Sequence, residues 1–240
     1  MPEKIPDIVD ERGVSVERMF SAIAPRYDFL NRLLSAGRDR VWRREAVSAT
    51  GLPPRGVLLD VCTGTADVAL EAIRQLPEAR VFGVDFSRPM IALGQAKVGR
   101  ALLGDRIHLQ VAPAESLPFP DGSFDAVAIA FGLRNIPDRE RGLREMARVL
   151  KPGGRLVVLE FTTPQGRLFR RVYLWYFHRV LPQLGRWVSG HPSAYAYLPA
   201  SVTDFPSPED LSSLMRKSGF SEVSYRLLTR GIAAIHIGLK

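Results

Sequence analysis

The feature that most constrains this chain is an apolar run, Val57-Leu58-Leu59-Asp60-Val61, that turns acidic near its end and opens into the loop Cys62-Thr63-Gly64-Thr65-Ala66-Asp67. An apolar-periodic stretch from Val68 to Leu76 follows and stops before Pro77. A short apolar run bounded by a glycine turn is a buried strand, and the change to a 3.6-residue period beyond it is a helix packed on one face. The segment is strand, loop, helix.

The pattern then repeats. Arg80 to Val84 reads as a second strand ending at Asp85, and Ser87 stands where it can cap a helix that carries Pro89 in its first turn and runs to about Arg100. Ile107 to Val111 and Phe124 to Ala130 are a third and a fourth strand; Asp138 to Leu150 is a helix; Arg155 to Phe161 is a fifth strand after the turn Lys151-Pro152-Gly153-Gly154. Uninterrupted alternation argues a doubly wound, mostly parallel sheet with helices on both faces, whose ligands lie beyond the carboxyl ends of the strands. Helices are expected over Ser15 to Ala24 and Asn31 to Ala46 before the sheet, a long aromatic helix over Gly166 to Val188, and a last helix (Asp210 to Ser218) and two strands (Val223 to Leu228, Ile232 to Leu239) after it.

With 240 residues, 46% hydrophobic and 24% charged, the chain suits one core of α/β type, so a single domain over 1–240 is expected. Its lone cysteine, Cys62, excludes a disulfide framework and a thiolate metal cluster. Met1 to Arg18 has no apolar signal stretch, and the longest apolar run in the aromatic segment, Val172 to Phe177, is far shorter than the ~20 residues of a membrane span. A cytoplasmic protein is expected. The net charge of +8 is unevenly placed: Arg26 to Arg44 holds six arginines against Asp28 and Asp39, and Gly166 to Tyr197 holds five arginines and no acid. Such a field attracts anionic membrane or nucleic acid, and both segments lie outside the sheet.

The loop chemistry narrows the ligand. A dinucleotide fingerprint needs three glycines beside a pyrophosphate, and here Gly64 stands alone among small hydroxyl residues; Gly-x-x-x-x-Gly-Lys-Ser/Thr is absent from the chain. A ligand without phosphate but with positive charge suits carboxylate and carbonyl oxygens, which Asp60 and the loop backbone supply. S-adenosylmethionine has a cationic sulfonium and an ammonium. Asp85 stands where a carboxylate accepts both ribose hydroxyls; a strand-end aspartate alone reads first as a turn residue, and the Asp60 loop beside it reverses that balance. Ala114-Glu115, just past the third strand, is placed to touch an adenine, with the Ala114 N–H as donor.

Two further segments, Tyr27-Asp28-Phe29-Leu30-Asn31-Arg32-Leu33-Leu34-Ser35 closing at Trp42, and Arg148-Val149-Leu150-Lys151-Pro152-Gly153-Gly154-Arg155 through Glu160-Phe161-Thr162, resemble the signatures of the quinone-biosynthesis C-methyltransferases, as does Phe131-Gly132-Leu133-Arg134-Asn135. These enzymes act on demethylmenaquinol and on benzoquinol precursors of ubiquinone. The resemblance covers about Phe20 to Gly238. It implies a Rossmann-like class I methyltransferase fold with a seven-stranded sheet and an antiparallel C-terminal strand, a helical cap over 1–50 and a lid over 163–205. It further implies S-adenosylmethionine held by Asp60, Gly64, Thr65, Asp85, Pro113, Ala114 and Ala130, and no metal. Asp39 departs from the family's usual histidine, and Pro113 and Ala130 leave only backbone contacts to the donor.

Methylation of a hydroquinone carbon requires a positioned ring and a favoured phenolate. Arg134, after the fourth strand, is the candidate cation, by the same resemblance; His178 is a candidate base, read equally as a packed residue of an aromatic helix. Tyr27, Asn135, Tyr195 and Tyr197 are candidates for the quinol pocket, with core packing an equal account of the tyrosines. The partner expected is a polyprenyl quinol met in transient contact with the inner membrane face, not nucleic acid, and a homodimer is left open. The competing readings are a methyltransferase for RNA or another small molecule, and a membrane-surface or RNA-binding protein that kept the fold without catalysis.

Overall fold

The computed structural model describes residues 32, 35, 37–164, 166, 171 and 201–240. Before the sheet lies α1 (Arg38–Ala49). The apolar run forms β1 (Val57–Val61), buried from its second residue onward. A strand so enclosed must be paired on both edges. It is: β1 runs parallel to β2 (Arg80–Asp85) on one side and, across the sheet, to the later strand β4 (Phe124–Ala130) on the other. Between β1 and β2 runs α2 (Asp67–Gln75), and α3 (Arg88–Arg100) leads from β2 to the edge strand β3 (Ile107–Val111). After β4 come α4 (Arg139–Val149), β5 (Leu150–Phe161), α5 (Pro208–Lys217), β6 (Ser221–Leu228) and β7 (Ala233–Leu239). The seven strands lie in the order β3-β2-β1-β4-β5-β7-β6. β7 is antiparallel to both β5 and β6, so the reversed strand is interior to the sheet.

Alternation along each strand divides the core into two layers. Leu59, Val61, Val127, Ile129, Leu156 and Val158 face α4 and α5 through Leu143, Met146, Leu211 and Met215. Their neighbours Leu58, Ala126 and Ala128 face α2 and α3 through Val68, Ala72, Ile73 and Val98. α1 covers the same side further along, where Trp42 and Ala46 meet Phe131, Val157, Leu159 and Ile235. The Trp42 indole N–H donates to Thr229 Oγ1 at 2.9 Å, which satisfies the one polar atom of a ring that is 2% exposed.

The sequence boundaries hold to within a residue or two for most of the sheet, with three informative differences. The fifth strand begins at Leu150 rather than Arg155: Phe124 pairs with Leu150, the register then shifts, and Ala126 pairs with Arg155, so Lys151-Pro152-Gly153-Gly154 is a bulge inside the strand. Gly153 permits it, with φ of 76° and its N–H donating to the Lys240 carbonyl at 3.0 Å. The helix expected through Asn31 to Ala46 is interrupted by Gly37, which is left-handed (φ 75°) and donates to the Arg32 carbonyl at 2.8 Å, so α1 starts at Arg38. Ser87 does occupy the position before α3, but its hydroxyl makes no cap. Of the expected cap over 1–50 and lid over 163–205, the cap is described at 32, 35 and 37–50, where it forms α1, and the lid at 163, 164, 166, 171 and 201–205; the rest lies outside the described residues. Among those described, no helix is long and apolar enough to cross a membrane.

Leu143 is fully buried, and Leu102 is 87% exposed with a left-handed φ of 57°. Urea unfolding is expected to show Leu143→Ala losing ~2–5 kcal/mol, whereas Leu102→Gly is neutral or stabilising because it relieves backbone strain without emptying any core space.

Candidate active site

The loops after β1, β2, β3 and β4 lie side by side in the sheet, and this collects most of the sequence-assigned residues at one rim. Three residues of the first loop, Cys62 (φ 55°), Gly64 (φ 56°) and Ala66 (φ 68°), are left-handed. Only glycine adopts this freely; the other two cost ~1–3 kcal/mol each. The conformation is held by Thr63 N–H on the Val84 carbonyl (2.9 Å), Ala66 N–H on the Thr63 carbonyl (2.9 Å) and the Thr63 hydroxyl on Asp60 Oδ2 (2.6 Å). The loop after β4 closes against it. Phe131 is also left-handed (φ 58°), and a Cβ at Gly132 would stand 2.4 Å from the Cys62 Cβ, so only glycine admits this approach.

The acids at the rim are buried. Asp60 is 0% exposed, its Oδ1 has no hydrogen-bond partner among the described residues, and burial lifts its carboxyl to about 7 despite the Thr63 hydroxyl and the positive charge of Arg43. Asp85 accepts the Gly64 N–H on one oxygen and the Ser87 N–H on the other, each at 2.9 Å. Burial raises it to about 6. Each of its oxygens retains a lone pair for a hydroxyl donor. The Ser87 hydroxyl, fully buried, has no partner among the described residues either; sequence reading placed it only as a cap. Ala114 is buried and Pro113 exposed, and the turn they form is held by Arg141 Nε on the Glu115 carbonyl at 2.9 Å. Ala130 ends β4. Thr65 accepts Lys97 Nζ at 2.8 Å, so its hydroxyl oxygen is drawn toward α3.

Arg134 is not a solvated surface residue. It sits in the 3-10 turn Leu133–Asn135 with 8% exposure, its Nη1 paired with the carboxylate of Glu160 and its own backbone N–H 3.3 Å from the second carboxylate oxygen. Its guanidinium lies 5.5 Å over the Phe161 ring, and its Nε is buried with no partner among the described residues. Glu160, near the end of β5 and 0% exposed, thus balances the charge assigned to Arg134. Sequence reading quoted Glu160 only as part of a signature; an acid inside the run Val157-Val158-Leu159-Glu160-Phe161 was the available signal, since such an acid must be paired. Asn135 joins this turn through Nδ2 to the Phe131 carbonyl at 3.4 Å. Tyr27, His178, Tyr195 and Tyr197 lie outside the described residues. Among the described residues, no three His, Cys, Asp or Glu side chains are grouped as a metal site requires.

The ubiE/COQ5 methyltransferase family profile matches residues 7–240. The chain belongs to that family. It is an S-adenosylmethionine-dependent C-methyltransferase. A Geobacter sulfurreducens protein named ubiquinone/menaquinone biosynthesis C-methyltransferase UbiE is 54% identical over 96% of this chain and 90% of its own length. Demethylmenaquinone methyltransferases from Thermus thermophilus (53%; 92% of this chain, 99% of its own) and Deinococcus radiodurans (50%; 96% and 94%) are equally similar. Among solved structures, a Thermotoga maritima S-adenosylmethionine-dependent methyltransferase superposes with a TM-score of 0.64 at 22% identity over 93% of this chain and 98% of its own. Phosphoethanolamine N-methyltransferase 2 of Haemonchus contortus gives 0.69 at 16% identity over 98% of this chain and 61% of its own. These likenesses show the fold, a class I methyltransferase sheet.

The rim suits such a donor: a buried carboxylate oxygen without a partner at Asp60, and a second carboxylate at Asp85 already oriented by two backbone N–H groups. Because the folded-state value of Asp60 is about 7, far above the 3.8 of a free aspartate, the folded protein holds an extra proton between these values, so stability falls as pH rises from about 4 to about 7 and levels off above that. Asp60→Asn is therefore expected to stabilise the ligand-free protein by on the order of 1–3 kcal/mol at pH 8 and by much less at pH 5, measured by thermal melting at both values.

Proposed function

We propose that this enzyme transfers the donor's methyl group to a ring carbon of a polyprenyl quinol, converting demethylmenaquinol to menaquinol. The observation that carries this is the identity of half or more, over nine-tenths of the chain, with proteins named demethylmenaquinone methyltransferase. The benzoquinol step of ubiquinone synthesis is the second reading, favoured by the double name of the Geobacter relative.

In this reading Asp60 receives the ammonium of the donor, Asp85 its ribose hydroxyls, and the Gly64, Pro113, Ala114 and Ala130 backbone the rest; Thr65 holds the loop through Lys97. When bound, S-adenosylmethionine supplies an electrophilic methyl on a sulfonium. The chain must then orient the acceptor ring and raise its electron density. Arg134 faces this task as half of an ion pair, so what it offers the quinol is a directed N–H donor in a dry site rather than an uncompensated positive charge. Glu160 fixes the guanidinium plane, Phe161 supports it from below, and Asn135 extends the same turn toward the acceptor. The net reaction releases one proton from the ring carbon, for which His178 is the proposed base. Tyr27, His178, Tyr195 and Tyr197 are kept as proposed acceptor contacts. The arginines and aromatics of 166–188 support a lid that meets an anionic membrane surface where the polyprenyl tail resides. A cytoplasmic enzyme with transient membrane contact, and a dimer, belong to the same proposal.

Labelled methyl transfer tests it: demethylmenaquinol is expected to accept label, with a polyprenyl benzoquinol a weaker acceptor and RNA none. Label appearing only in RNA would sink the proposal. Asp85→Ala is expected to abolish donor binding in calorimetry, while Arg134→Ala preserves binding and lowers kcat by about 10²- to 10⁴-fold; an equal loss of binding in both would remove Arg134 from the acceptor side.

A further inference from the structure

α1 does more than close the sheet. Strand order reverses between β1 and β4, and the crevice at such a reversal is where doubly wound sheets take their ligands. Arg43, on the buried face of α1 with 7% exposure, reaches both lips of it. Its Nη1 is 2.5 Å from Asp39 Oδ2, one turn back on the helix, and 3.8 Å from Asp67 Oδ2, the residue that begins α2 directly after the cofactor loop. Its guanidinium carbon lies 5.4 Å over the ring of Phe131, the left-handed residue that follows β4. The acids are themselves anchored: the Ser35 hydroxyl donates to Asp39 at 2.8 Å and Lys97 Nζ to Asp67 at 2.7 Å.

A buried guanidinium costs several kcal/mol to desolvate and survives only where its partners are well placed. A leucine in its position would pack the same helix against the same strand without that cost. The charge therefore serves something other than packing, and the acid at the base of the crevice is Asp60, whose Oδ1 has no partner among the described residues. We propose that Arg43 is a positioning residue for the methyl donor: clamped by Asp39, Asp67 and the Phe131 ring, it sets the electrostatic potential and the spacing of the two loops that receive the donor's amino-acid end. The inference rests on the reading that Asp60 faces the donor. It makes α1, which belongs to the N-terminal cap, part of the donor site.

The groups acting on Asp60 come from each neighbouring element: Arg43 from α1 favours its charged form, Asp85 from β2 opposes it, and the Thr63 hydroxyl within the loop favours it. Its near neighbour Cys62 stays a thiol, its titration pushed well up by burial and the surrounding carboxylates. Removal of Arg43 should thus harm donor binding most near neutrality, where Asp60 is poised, and least at alkaline pH, where it ionises regardless.

The test is calorimetric binding of S-adenosylhomocysteine, which carries the same amino-acid end, by the full chain from pH 6 to 9. Titration of the ligand's own amino group is common to all variants and cancels in ratios of Kd. Arg43→Met is expected to weaken binding about tenfold at pH 7 and about twofold at pH 9, and Arg43→Lys to restore the wild-type pH profile. In an Asp60→Asn background the effect of Arg43→Met should shrink to about twofold at every pH. A loss that is uniform across pH, or a tenfold loss that persists without Asp60, overturns the inference and leaves Arg43 as scaffold. Wild-type affinity for Asp60→Asn alone would instead overturn the reading of Asp60. If Arg43→Met does not give a cooperative thermal melt, Arg43→Lys against Arg43→Gln carries the same comparison.

Discussion

The constraint on which the rest of this protein depends is the burial of carboxylates at the carboxyl ends of its strands. Asp60, Asp85 and Glu160 are each at most 6% exposed, at the ends of β1, β2 and β5. Water cannot solvate them, so each must be met by the protein or by a ligand. Glu160 is met by Arg134 and by two backbone N–H groups. Asp85 is met by the N–H groups of Gly64 and Ser87. Asp60 keeps one oxygen, Oδ1, without a hydrogen-bond partner among the described residues. Satisfaction thus falls from full at Glu160 to partial at Asp60, which stands at the crevice.

The same crevice explains the backbone strain. Three non-glycine residues, Cys62, Ala66 and Phe131, are left-handed within the two loops that face each other across β1 and β4. Such conformations persist only where surrounding contacts fix them, and here the fixing contacts are the Thr63 hydrogen bonds and the absence of a side chain at Gly132. Stability given up at the loops is recovered in the two apolar layers beneath, where nearly every strand residue is enclosed. A rigid floor thus carries a strained rim, the arrangement that preorganised sites require.

The ion pairs reveal how helices from distant parts of the chain are joined to this rim. Arg43 brings in α1, Lys97 brings in α3 through Thr65 and Asp67, and Arg139 reaches back from α4 to the Arg134 carbonyl at 3.2 Å. Each joins a helix to a loop of the rim, so the loops are held by charge as well as by the sheet. In the family to which the chain belongs the overall reaction is one methyl transfer, and the geometry sets two groups of buried side chains along one rim, Asp60 and Asp85 at β1 and β2, and Arg134 with Glu160 at β4 and β5.

Local sequence determined the strands, the helices behind them and the loop residues that face the crevice, because period, glycine placement and strand-end acids are read over five to fifteen residues. Asp60, Gly64 and Asp85 were legible for that reason, and Arg134 through the resemblance of Phe131 to Asn135 to a family motif. Tertiary structure alone decided how they are used. That Glu160 neutralises Arg134 depends on β5 lying beside β4, 26 residues away in the chain; that Gly132 must be glycine depends on Cys62 across the sheet; that Arg43 meets Asp67 and the Phe131 ring depends on α1 packing over β4, β5 and α2. Even the bulge at Gly153 is fixed by the carbonyl of Lys240, the final residue. Short-range pattern specifies which groups a segment carries, while the partner that sets each group's charge, strain and direction is brought to it by long-range burial.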